Sequence, residues 1–285
     1  MPEPTERPPD FLEVVLHEVA NERALVGLCA GFERGEWRSQ QLAEHLIEWL
    51  PEFALGEEQR AALRTHNAVG LLREAARIVY TTDKYGKRGE FGELLLHVAL
   101  RQVFNTAPAI SRIFFKDAPN DTVKGFDSVH MVDGRDGLEI WLGEAKLYAD
   151  GENAIAAAAE SVNKHLQADY LRQEFVAIGR KVSPANPRAA EIAELLHRNR
   201  TLDAIAKRLV VPVFVGHDSA IMARHTASTR EYRDELEREL RSMAQSFVSL
   251  TPSVPVRVHL IVLPTNTKAK LVDALDGRLK ALQRI

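Results

Sequence analysis

The chain has 285 residues, 45% of them hydrophobic and 27% charged, with a formal net charge of −3, a balance that describes a globular protein and excludes a disordered or strongly basic one. Cys29 is the single cysteine, which excludes an intramolecular disulfide framework and a cysteine-based metal site. No run is long and apolar enough for a membrane span, and the acidic, Pro-rich start MPEPTERPPDFLEVV lacks the basic-then-apolar order of a leader, so the cytoplasm is the expected location.

Along the chain, residues 11–80 read as helices: FLEVVLHEVANERALVGLCAGF, SQQLAEHLIEWLPEFAL and QRAALRTHNAVGLLREAARIVY carry apolar residues at spacings of three and four. Pro51 ends the second helix or starts a new turn. TTDKYGKRGEFGE then breaks the pattern with three glycines, so a helical N-terminal region (1–82) is expected before a second unit (83–285). Glu93–Val103 reads as a helix, Arg112–Lys116, Phe126–Val132 and Leu138–Tyr148 as strands, and VDGRDG as the hairpin turn between the last two. An Ala-rich helix, Asn153–Leu166, follows. LVVPVFVG (209–216) and VPVRVHLIVLP (254–264) read as buried strands, with helices at about 188–208, 228–248 and 268–283. This order predicts an α/β protein with a mixed central sheet flanked by helices on both faces, preceded by an all-helical N-terminal region.

The chemistry concentrates between Val123 and Tyr148. On a strand, successive side chains alternate between faces, so Glu144 and Lys146 emerge together while Ala145 points away. These charges interrupt an otherwise apolar and aromatic strand. A charge on a face meant for burial is expensive unless it is paired, bound to a metal or set at a cleft. Asp127 on the preceding strand completes two carboxylates and one ammonium, the set that a magnesium-dependent phosphodiester hydrolase needs. The bland alternative is a solvated edge strand with a surface Glu and Lys.

Together with the element order, these residues resemble the PD-(D/E)xK, or restriction-endonuclease-like, nuclease superfamily over roughly residues 88–216. Asp127 matches the first metal-binding acid, and Glu144-Ala145-Lys146 the second acid and the lysine. Glu93 matches a glutamate on the helix before the first strand. Phe126 stands where the family pattern has proline. Gln167 and Tyr170 resemble the Gln/Tyr motif of one branch, at a shorter spacing. RGEFGELLLH leading into GFDSVHMV, GEAKLY and an Ala-rich helix is more closely similar to the HamA family, nuclease subunits of the Hachiman antiphage defence system. The resemblance implies a DNA substrate and a superfamily-2 helicase partner of the HamB kind. It also implies one or two Mg²⁺ ions, with Mn²⁺ able to substitute, held by Asp127, Glu144 and the Ala145 carbonyl. Lys146 would align the attacking water, and Glu93 would bind a second ion or orient that water. Glu90, three residues earlier on the same helix face, competes with Glu93. The alternative class is a nuclease-like fold with a degenerate site that binds DNA or protein.

His97, four residues after Glu93, fits helix packing better than metal ligation, and His130 points to the strand face opposite Asp127, as a core or sheet-surface residue. Lys84, Lys87, Arg88, Lys116 and Lys124 are candidate phosphate contacts. With no GxxxxGK and no GxGxxG, any ATP hydrolysis would fall to another subunit. Residues 1–60 hold 13 acids and 5 bases, whereas residues 61–285 hold 27 acids and 32 bases. The acidic part reads first as a solvated helical face, and otherwise suits a protein partner, or a cover for the basic part, better than DNA.

Overall fold

The computed structural model describes residues 7–20, 23–79, 89–110, 125–134, 136–251 and 256–284. The N-terminal stretch departs from the helical reading, because it holds strands where the first helix was expected. β1 (Glu13–Ala20) pairs antiparallel with β2 (Arg23–Cys29), and β3 (Phe32–Glu33) pairs with β4 (Glu36–Trp37). Arg34 and Gly35, at φ 51° and 83°, make the left-handed turn between β3 and β4. The physical reason for the correction lies in β2. It is buried on both faces from Ala24 to Cys29, and a doubly buried strand satisfies helical spacings as readily as strand spacings.

The helical reading holds further on. α1 (Ser39–Glu48), α2 (Leu50–Ala54), α3 (Glu57–Ala61) and α4 (Ala68–Val79) follow in order. Pro51 lies in the first turn of α2, where its missing N–H is no loss, so it starts a turn. The boundary expected at residues 82–83 and the strand expected at 112–116 lie outside the described residues, as do Lys84, Lys87, Arg88, Lys116 and Lys124.

The remainder comprises α5 (Glu90–Phe104), β5 (Ala107–Ile110), β6 (Ser128–Gly134), β7 (Gly137–Leu147), α6 (Gly151–His165), α7 (Ala168–Lys181), α8 (Ala189–Leu195), α9 (Leu202–Ala206), β8 (Leu209–Asp218), α10 (Ala220–Arg224), α11 (Arg230–Leu250), β9 (Arg257–Thr265) and α12 (Lys268–Arg284). Asn105, left-handed at φ 49°, ends α5. The helix expected at 188–208 is two short helices, and α7 was not foreseen.

Among the described residues, seven strands form one mixed sheet in the order β1-β2-β9-β8-β7-β6-β5. β2, β9, β8 and β7 run parallel; β1 is antiparallel to β2 at one edge, and at the other β6 is antiparallel to β7 and β5 to β6, so β5 again runs in the direction of β7. Such a sheet must be covered on both faces. α6 and α11 pack together on one face. On the other, α5 packs with α1 and α2, and these hold α4 and α12. The centre is β8, whose Val210, Val211, Val213, Phe214 and Val215 are fully buried. β7 lies beside it, and the C-terminal end of β7 meets the start of β6.

Candidate active site

The register of β6 and β7 brings the first two acids together. Ser128 pairs with Gly143, so one step further out Asp127 stands opposite Glu144. The Asp127 N–H donates to the Gly143 carbonyl at 2.8 Å, and the Ala145 N–H donates to Asp127 Oδ2 at 2.8 Å. The Asp127 side chain thereby continues the ladder where the β6 backbone leaves it. Alternation puts Glu144 and Lys146 on one face of β7, and Asp127, in the bend just before β6, is tied beside them by these hydrogen bonds. Lys146 Nζ donates to Glu144 Oε1 at 2.5 Å.

The electrostatics of this face are strongly coupled. Glu144 is only 3% exposed. Burial pushes its carboxyl up, but His165 and Lys146 beside it outweigh burial and hold it below the ordinary carboxylate value. For Lys146, burial pulls the ammonium down, while Glu144 and then Asp127 raise it above its ordinary value. Both side chains are therefore charged at neutral pH. His165, the last residue of α6, brings Nδ1 to 3.3 Å from Glu144 Oε2. The distance is that of an ion pair but the alignment is not that of a hydrogen bond, and among the described residues neither atom has another hydrogen-bond partner.

Glu93 and Glu90 both lie in the first turn of α5, so the structure does not separate them. The helix approaches the site from behind. A Cβ built on Gly92 would lie 3.5 Å from Ala145 Cβ and 3.4 Å from Leu147 Cβ, on the face of β7 opposite Glu144 and Lys146. Glu93 is thus brought to the same end of β7 but to the other side of the strand. His97 is buried among Trp49, Phe53 and His130, a packing position as expected, and His130 joins it on the face away from Asp127. Gln167 is the exposed N-cap of α7, whereas Tyr170 stacks on His165 with centroids 4.5 Å apart.

Two residues near the acids escaped the sequence reading. His165 lies 21 positions from Glu144 on a helix, and Glu174 lies on α7. Glu174 accepts a hydrogen bond from the Phe126 backbone, next to Asp127, and its carboxyl is raised, first by burial. The available signal was weak: a histidine ending an Ala-rich helix, and an acid at the apolar spacing Leu171, Glu174, Phe175, Ile178.

The donors present suit a hard divalent cation. Among the described residues no three His, Cys, Asp or Glu side chains form a ready-made cage. Two carboxylates and the Ala145 carbonyl instead leave most of a coordination shell to water and phosphate, the arrangement that Mg²⁺ prefers. The buried Glu144 Oε2 has no hydrogen-bond partner among the described residues, so it is an oxygen that a cation could take without breaking a hydrogen bond. A model of the HamA family matches residues 9–279 of the chain. No curated protein matches it.

Proposed function

The chain belongs to the HamA family, and we propose that it is the nuclease of a Hachiman antiphage defence complex, hydrolysing DNA phosphodiester bonds with a divalent cation under the control of a partner helicase. Family membership supports the defence context. The observation that carries the chemistry is the convergence of Asp127, Glu144 and Lys146 at the end of β7, tied by the 2.8 Å and 2.5 Å hydrogen bonds. A restriction-endonuclease-like core is the corresponding fold reading, supported by α5, the antiparallel β5-β6-β7 and the parallel strand β8 reached after α6.

Asp127, Glu144 and the Ala145 carbonyl are the residues that would hold Mg²⁺ or Mn²⁺. The ion would supply Lewis-acid polarisation of the phosphate and a more acidic attacking water. Lys146, charged and already tethered to Glu144, orients that water and offsets the charge gathering on the phosphate. Glu93, arriving on the other side of β7, is assigned to the water or to a second ion. A helicase partner fits a chain with no phosphate-binding loop of its own.

The test is cleavage of plasmid DNA by the purified chain, alone and with a candidate helicase and ATP. Glu144→Ala and Lys146→Ala are each expected to lower Mg²⁺-dependent cleavage at least ~100-fold while leaving the circular dichroism spectrum unchanged. Undiminished cleavage by either variant overturns the assignment. Asp127→Asn is expected to lose the calorimetric heat of Mn²⁺ binding; a heat equal to wild type would favour a binding module with a degenerate site.

A further inference from the structure

We propose that His165 is a positioning residue for the Glu144 carboxylate, presented to it by a ring stack with Phe126 and Tyr170; the proposal rests on the metal-site reading above. The imidazole is nearly enclosed, 8% exposed at the end of α6. Its plane is set by two rings. Tyr170 lies parallel to it at 13°, with centroids 4.5 Å apart, and Phe126 meets it edge-on at 66° and 4.9 Å. Between these two rings, Nδ1 stands 3.3 Å from Glu144 Oε2. Burying an imidazole has a desolvation cost that a phenyl ring would avoid, and only a polar neighbour offsets it. That neighbour is Glu144 Oε2, 3.3 Å from Nδ1.

The arrangement fixes both oxygens of one carboxylate. Lys146 holds Oε1 and His165 faces Oε2, so the orientation of the carboxylate is set before a cation arrives. The same helical unit steadies the other acid. Glu174 on α7 accepts from the Phe126 backbone immediately before Asp127. Gly125 permits that approach, since a Cβ there would lie 2.7 Å from Glu174 Oε2. A proline at position 126 would have no N–H to donate. Phe126 supplies both the N–H and the ring that meets His165.

The experiment measures Mn²⁺ affinity of the full chain by titration calorimetry, together with the Mn²⁺ dependence of cleavage. His165→Phe keeps a ring in the stack and removes the nitrogen, and it is expected to raise the Kd ~10-fold, as removing a residue that orients a ligand does. Its kcat should largely return at saturating Mn²⁺. His165→Asn restores a nitrogen near the Nδ1 position and should bind more tightly than His165→Phe. Tyr170→Leu, which loosens an intact imidazole, should weaken binding ~3-fold and carries the test if His165→Phe does not fold. A His165→Phe or Tyr170→Leu affinity equal to wild type overturns the proposal, as does an Asn variant no better than Phe. If wild type itself binds no Mn²⁺, the metal-site reading fails and takes this proposal with it; wild-type binding with unchanged variants removes the proposal alone.

Discussion

Glu52 shows how far a single buried carboxylate can depend on its neighbours. On α2, its Oε1 lies 2.6 Å from Arg101 Nε and 3.1 Å from His97 Nε2, both on α5. Burial would raise its pKa, yet His97 and then Arg101 hold it at about 2, well below the ordinary glutamate value of about 4.5. A folded value below the unfolded one means that the folded state binds fewer protons. The resulting stability is complete above about pH 4.5 and is lost as pH falls toward about 2. At neutral pH it is at most ~3 kcal/mol. His97 and His130 are held below the ordinary histidine value, first by burial, so their contribution begins to fall below about pH 6.5. The Glu52 part is therefore read as a difference: Glu52→Gln is expected to be less stable than wild type at pH 7 and to converge on it near pH 2, measured by urea unfolding across pH. A constant gap would contradict the assignment. At the same scale, the shared face of Glu144 and Lys146 was legible in the sequence because strand alternation is a local rule, whereas Asp127 sits in the bend before β6 and is placed by its hydrogen bonds to β7. His165 and Glu174 were not, since what makes them notable is the company they keep after folding.

At the scale of elements, β2 was the principal misreading, and Gly27 offers a direct test of it. A Cβ on Gly27 would collide with Leu240 Cδ1 of α11, and Leu240 is fully buried. Gly27→Ala should therefore destabilise the protein by ~1–3 kcal/mol, the usual penalty for overfilling a packed site. A helix at residues 23–29 would respond with the opposite sign, since Ala stabilises a helix interior by ~1 kcal/mol relative to Gly. Thermal or urea unfolding of the single variant decides between them. The elements near the site were read more securely. β7 and β8 are long apolar runs bounded by turn residues or helices, and α6 carries Ala154, Ile155, Ala158, Ala159 and Val162 at helical spacing, which lets it lie close over β7. α7 went unread because its buried spacing includes Glu174, an acid where a sequence pattern expects an apolar residue.

Across the whole molecule, the charge asymmetry acquires a structural meaning. Acids of the first 60 residues pair with arginines of the remainder: Glu13 with Arg233 at 2.6 Å, Glu18 with Arg241 at 2.9 Å, Glu44 with Arg278 at 2.5 Å, and Glu52 with Arg101 at 2.6 Å. The acidic segment covers basic side chains of this same chain. Exposed pairs are each worth under ~1 kcal/mol, so replacing Glu13, Glu18 or Glu44 singly with Gln should change stability little. Glu13→Lys, Glu18→Lys and Glu44→Lys together should cost ~1–3 kcal/mol at low ionic strength, with most of the loss recovered in 1 M salt. A salt-independent loss would point to packing instead. Read alone, the sequence determined the α/β class, the mixed sheet of the second part and the shared face of Glu144 and Lys146 on β7, because periodicity and alternation act over a few neighbouring residues. Only the tertiary structure decided that the N-terminal hairpin joins the sheet through β2 and β9, and that α5 brings Gly92, next to Glu93, against the face of β7 opposite Glu144 and Lys146. It also decided that His165 and Glu174 stand beside the acids. Strand partners and buried polar contacts join residues far apart in the chain, and no local pattern encodes which distant residue completes them.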